Sequence, residues 1–281
     1  MLVVVELGMA KSKSDLGKSQ TDAKKPYRQI LLQEISEGKH ELERPPLGLF
    51  LSAISAGLDI GFSLFLMATM QTLVGTSFPQ PLTRILVANM YAVGFIFVVI
   101  GRSELFTEHT TLAILPLISG RAKLRAVAQL WAVVYCGNML GAAAFAALTV
   151  LIGPSIRVID PAVLTHLGST ACRLGGGPML LGAILAGWLM GLMSWLITAA
   201  RDTISQIVLV WLIAASIGLA QLNHAVAGAV EVFAGVFVHD GLKVADLGHF
   251  LLWTTLGNAI GGVVFVALLK YSHASRGEPS D

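Results

Sequence analysis

Gly101-Arg102-Ser103-Glu104-Leu105-Phe106-Thr107-Glu108-His109 interrupts a stretch that is otherwise apolar from Arg84 to Ile118. As one helix those 35 residues would measure about 52 Å, against about 30 Å of hydrocarbon in a bilayer. Two acids, an arginine and a histidine cannot face lipid at mid-depth. The stretch therefore reads as a membrane span broken in its middle. Backbone leaves the helical state inside a membrane only where protein or a water-lined cavity shelters it.

A second stretch has the same anomaly. Thr203 to Val238 is 36 residues of apolar chain with Gln221, Asn223 and His224 in its middle and Glu231 two turns on. Four ordinary spans complete the set: Leu47 to Leu73, Ala126 to Ile152, Met179 to Ala200 and His249 to Tyr271. The connection after Ile152, with Pro154, Pro161 and Gly175-Gly176-Gly177-Pro178, reads as a loop. Six spans with the second and fifth broken divide into matching halves. Ala56-Gly57-x-x-x-Gly61 recurs as Ala186-Gly187-x-x-x-Gly191, and Gly137-Asn138-x-x-Gly141 recurs as Gly257-Asn258-x-x-Gly261. Three spans per half is an odd number, so the second half inserts upside down, as an inverted 3+3 repeat. The fold class expected is an all-α integral membrane protein of aquaporin-like plan.

Charge distribution agrees. Of 281 residues, 55% are hydrophobic; residues 47–271 carry 18 charges in 225 positions, about 8% against about 25% in soluble domains. That excludes a soluble enzyme and a nucleic-acid binder. Two cysteines, Cys136 and Cys172, make no disulfide framework. The apolar start is too short, and lacks the basic flank, for a cleaved leader. Residues 1–46 read as a polar tail ending in a short surface helix from about Ile30 to Leu42, and residues 272–281 as a second tail. With the amino terminus inside, 14 Lys/Arg fall on the inner side and 4 on the outer, which places both termini in the cytoplasm of a plasma (bacterial inner) membrane.

The candidate site follows from the breaks. His224 offers a titratable ring at one break, and Thr107 offers a hydroxyl at the other without carrying charge. Leu105 and Phe106 are candidates for an apolar gate. Asn138 and Asn258 are expected to hold the broken loops, because an unpaired amide in lipid is costly. Glu104, Glu108, Glu231 and Arg102 are either structural pairs or charge selectors; Glu108 and Glu231 are candidates to pair with Arg102 or with a histidine. Asp59 reads as a brace for a helix end. The glycine stripes allow close helix approach, within a protomer or between subunits.

Taken together, Gly101-x-x-Glu104-Leu105-Phe106-Thr107, Trp131-x(5)-Gly137-Asn138-x-x-Gly141, His224-x-Val226-Ala227 and Gly257-Asn258-x-x-Gly261 resemble the formate/nitrite transporter family. The resemblance implies a homopentamer with one pore per protomer for small monovalent anions such as formate, nitrite and hydrosulfide, often moved with a proton. By position it makes His224 the central histidine, Thr107 the threonine facing it, and Leu105, Phe95 and Ile217 constriction residues. Asn223 lies beside the histidine. Family members commonly carry an asparagine where Gly187 stands and another near Gly228, a small polar residue at Glu108, and a vestibule lysine for which Arg173 is only a loose match. Glu108-His109, Ala186-Gly187-Trp188, Glu231 and the polar amino-terminal extension resemble the YfdC-like branch.

The function expected is a channel or transporter for weak-acid anions, with the lipid bilayer and its own copies as partners and with no cofactor, metal or nucleic acid. If Glu231 and Glu108 are ionised and face the pore, a neutral or cationic solute is the alternative. Two other classes are a non-transporting scaffold or sensor, and an intramembrane metalloenzyme using His109, His224, Glu108 and Glu231.

Overall fold

The structure is a computed structural model that describes residues 24–238 and 241–276; the expected tails at 1–23 and 277–281 lie outside the described residues. Helix α1 (Tyr27–Glu43) precedes α2 (Pro46–Val74) and α3 (Gln80–Gly101). The chain then forms α4 (Phe106–Leu112), α5 (Ile114–Ile118), α6 (Leu124–Ser155), α7 (Pro161–Cys172) and α8 (Gly176–Ala199). Next come α9 (Thr203–Ala220), α10 (Ala225–Phe237) and α11 (Val244–Gly262), which continues through a π turn at Val263–Leu268 into α12 (Leu269–Arg276). Six helices are long and apolar enough to cross a membrane: α2, α3, α6, α8, α9 and the α11 unit. The protein is a multi-pass membrane protein.

The two long stretches are each broken, and by one mechanism. α3 ends at Arg102 (φ 56°) and α9 at Gln221 (φ 51°), both in the left-handed region. In each, the following N–H closes the helix end on a carbonyl five residues back: Ser103 donates to Val98 O and Leu222 donates to Ile217 O, both 3.0 Å. The termini are thus satisfied within the chain, as a dry environment demands. The first arms have 22 and 18 residues, about 33 and 27 Å. The breaks, at residues 102–105 and 221–224, fall near the middle of the two stretches, as the sequence suggested. A long arm nearly crosses alone, and a short arm (α4–α5 or α10) completes the segment.

Glycines set the packing of the two halves. A Cβ at Gly57 would overlap the backbone of Asn138 and Ala142, and one at Gly187 the backbone of Asn258. Likewise Gly141 abuts Ile54 O and Gly261 abuts Ile184 O. α2 therefore lies backbone-to-backbone on α6, and α8 on α11, which is the close approach that small residues permit in membranes.

Two connections differ from expectation. The stretch after Ile152 is not all loop. α6 runs through Pro154 to Ser155, and α7 forms because Asp160 accepts from Ala162 N–H at 2.9 Å and Pro161 supplies the first helical φ. α1 is more than a surface helix, since Ile30, Leu31, Glu34, Ile35 and Gly38 are buried. Gly38 sits against Leu112 O and Pro116, so α1 docks on the short arm of the first broken segment.

Candidate permeation site

The two asparagines carry the loops between the arms. Asn138 Oδ1 accepts from Phe106 N–H (2.8 Å), while its Nδ2 donates to Ala53 O and Glu104 O (both 2.8 Å). Asn258 repeats this: Oδ1 accepts from Ala225 N–H (2.7 Å), and Nδ2 donates to Ala183 O (2.7 Å) and Asn223 O (3.0 Å). Each amide bonds the first N–H of a short arm, a carbonyl of the interrupted loop and a carbonyl of the neighbouring span. Ala53 and Ala183 each lie seven residues into α2 and α8, about 10 Å from opposite ends. The loops thus approach mid-membrane from opposite directions.

There they meet. His224 Nε2 lies 2.9 Å from Thr107 Oγ1, with both side chains buried. His224 also caps α10: its Nδ1 accepts from Val226 N–H (3.2 Å) and Ala227 N–H (3.1 Å). A ring nitrogen that accepts carries no proton, so these bonds assign the neutral tautomer with hydrogen on Nε2. The proton therefore points at Thr107, and Thr107 Oγ1 accepts it. Phe95 packs edge-on against the imidazole, ring centroids 5.1 Å apart. Phe95, Leu105, Ile217 and Thr107 are each 0% exposed. Phe106, expected at the gate, turns away onto Tyr135 and Trp131.

A cavity of about 670 Å³ opens on one side of this contact. His224, Asn223, Leu222 and Ile217 belong to its floor, Gly228, Glu231, Tyr91 and Phe250 to its walls, and Arg84 and Arg173 to its exposed mouth. Arg84 is held by a bond from its Nε to Leu219 O at 2.8 Å. The Asn223 Oδ1 atom is buried without a partner beside this cavity.

On the other side lies a charged network. Glu104 pairs with His109 Nε2 (2.6 Å) and with Arg44, which also pairs with Glu41. Trp131 Nε1 donates to His109 O at 3.0 Å. Glu41, Glu104 and His109 bring potential ligand atoms within 4.8 Å of one another, but the Arg44 guanidinium already bridges the two carboxylates, which disfavours a cation there. Arg102 is exposed and makes no ion pair among the described residues, so the suggested pairing with Glu108 or Glu231 is not formed. The left-handed turn that ends α3 directs this residue away from the core. The four residues of the metalloenzyme alternative are likewise not gathered: His109 faces Glu104 and His224 faces Thr107. Asp59 does brace a break, accepting from Ser103 Oγ at 3.1 Å.

The formate/nitrite transporter family pattern matches residues 28–272. The chain belongs to that family. Among curated relatives of this family member, the inner membrane protein YfdC of Escherichia coli is 34% identical over 88% of this chain and 79% of its own length. The nitrite transporter NirC of Salmonella typhimurium is 29% identical over 79% of this chain and 82% of its own. Among solved structures, an FNT family ion channel superposes with TM-score 0.78 at 22% identity, covering 89% of this chain and 99% of the other. A pentameric formate channel with formate bound gives 0.69 at 22% identity, covering 82% and 98%.

Some participants were not foreseen. Arg84 at the cavity mouth is readable as a basic residue in the first turns of a span, yet nothing in the sequence says that its side chain reaches Leu219. Glu34 is fully buried, accepting from Ser194 and Thr198 of α8. Only the apolar Ile30 and Leu31, four and three residues before it, and the adjacent Ile35 hinted at a packed face.

Proposed function

We propose that the chain passes small monovalent weak-acid anions, of the formate and nitrite class, through a pore in each protomer of a homopentamer. The carrying observation is the bond between His224 Nε2–H and Thr107 Oγ1, set between two helix breaks and reached from a solvent cavity. A bare anion entering the apolar bottleneck of Phe95, Leu105 and Ile217 loses its hydration, at large cost. Arg84 and Arg173 at the cavity mouth raise the local anion concentration. At the narrowest point the Nε2–H turns from Thr107 to the solute, and the Thr107 hydroxyl, no longer accepting, donates as well. Two neutral donors stabilise a small acceptor without adding a fixed charge that would trap it. The bias of basic residues supports an orientation with the α1 end in the cytoplasm and the large cavity facing outward.

The test is transport by the purified protein in liposomes. Formate or nitrite, imposed as a gradient, should cross faster than in protein-free vesicles, and a bulky organic anion should not. Equal rates with and without protein would overturn the reading.

A further inference from the structure

We propose that Glu231 is the proton donor that converts the anion to its neutral acid in the outer cavity, before the solute meets His224. This rests on the permeation reading above. His224 is poorly placed for that step. Releasing the Nε2 proton would leave an imidazolate in a dry site, and taking one up on Nδ1 would break the two bonds that cap α10. Glu231 has no such tie. It stands seven residues beyond His224 on the same helix, about 10 Å further out, and lines the cavity that leads to the histidine. Its carboxyl makes no hydrogen bond or ion pair among the described residues.

The groups around it fit this role. α3 contributes the buried Tyr91 hydroxyl and, at the mouth, Arg84; α7 contributes Cys172, Arg173 and the exposed rim residue His166. α11 contributes Phe250, and α2 contributes Met67 and Gln71. Asp246 lies behind Cys172, whose thiol reaches the Asp246 carbonyl at 3.9 Å. Among the described residues no cation pairs with the Glu231 carboxyl, so no such pair must be broken when it gives up its proton. Below it, the unpartnered Asn223 Oδ1 is an acceptor. It suits the O–H of a neutral acid and repels the anion.

The step balances. An O–H bond on Glu231 breaks and one forms on the solute oxygen. The carboxylate left behind recovers a proton from water in the open cavity. Arginine guanidinium groups at the mouth gather the anion, and the neutral acid enters the bottleneck.

Formate uptake into proteoliposomes, with lumenal pH followed by a trapped dye, tests this. Unmodified protein should acidify the lumen as formate enters. Glu231→Gln should lower influx at neutral external pH by about 10²-fold, the lower end for a positioned acid. Its flux should recover as the outside is acidified and preformed formic acid arrives. Glu231→Asp should retain the unmodified pH profile, as should His166→Ala. The proposal is overturned if Glu231→Gln keeps the unmodified flux and profile, or loses flux equally at every pH with the oligomer intact. It is also overturned if His166→Ala flattens the profile. Absence of flux in the unmodified protein would sink the permeation reading, and this proposal with it.

Discussion

Replacing Asn258 by Ala removes three hydrogen bonds at once: those to Ala225 N–H, Ala183 O and Asn223 O. Ala183 O keeps its helical partner, but the first N–H of α10 and the carbonyl of the loop are stranded in a buried site. At about 1 kcal/mol net per bond the loss is about 3 kcal/mol, and a stranded buried N–H adds about 1–3 more. The lower average for side-chain bonds in membrane proteins, about 0.6 kcal/mol, gives about 2. The expected destabilisation is therefore about 2–6 kcal/mol. Because Asn138 makes the corresponding three bonds, Asn138→Ala should cost the same within about 1 kcal/mol. Asn258→Asp keeps the acceptor but aims an oxygen at two carbonyls, so it should be no better than Ala. The assay is equilibrium unfolding of detergent-solubilised protein by denaturing detergent. A cost below about 0.5 kcal/mol for either alanine variant would refute the view that these amides hold the breaks.

Burial raises the Glu34 carboxyl to about 7, with Glu37 and Glu108 adding to the rise against the bonds from Thr198 and Ser194. An undocked glutamate titrates near its ordinary 4.5, so docking of α1 is fully favoured below that and weakens as pH rises through about 7, by up to about 3 kcal/mol. Hydrogen-exchange protection of α1 should fall between about pH 4.5 and 7 and level off above that; in Glu34→Gln it should show no such fall. Gly187→Ala forces a methyl into the backbone of Asn258 and should cost about 1–3 kcal/mol by unfolding. Gly57→Ala should match it, and near-zero values would mean that α8 and α11 are less tightly seated than described.

Much of this architecture was legible because the membrane allows so few solutions. Overlong apolar stretches with polar centres had to break, and the repeated Gly-Asn-x-x-Gly placed an amide beside each break. The position of each break was legible too, from the polar residues at 102–104 and 221–224. The left-handed backbone by which Arg102 and Gln221 close the long arms was not legible, because neither residue type signals it. Phe106 read as a gate because it adjoins Leu105, yet successive residues at a helix start point in different directions, and it packs on Tyr135 instead. The pairing of Arg44 with Glu104 spans 60 residues and leaves no periodic trace. α7 could have been found, since Asp160-Pro161 followed by Leu164 and Leu167 is a capped helix start. Glu34 looked like one more surface acid, and its burial is set by Ser194 and Thr198, far away in sequence.

Formate flux through the His224→Asn variant is the most direct measurement. Asparagine is a strong N-cap, so α10 keeps an acceptor for its first N–H groups, while the ring Nε2–H that meets Thr107 is lost; His224→Ala, lacking the cap, should be about 1 kcal/mol less stable. With the oligomer intact, His224→Asn should pass formate at least about tenfold more slowly, the equivalent of one hydrogen bond of about 1.4 kcal/mol. Undiminished flux in that variant would contradict a bottleneck in which the histidine hydrogen bond carries the solute across.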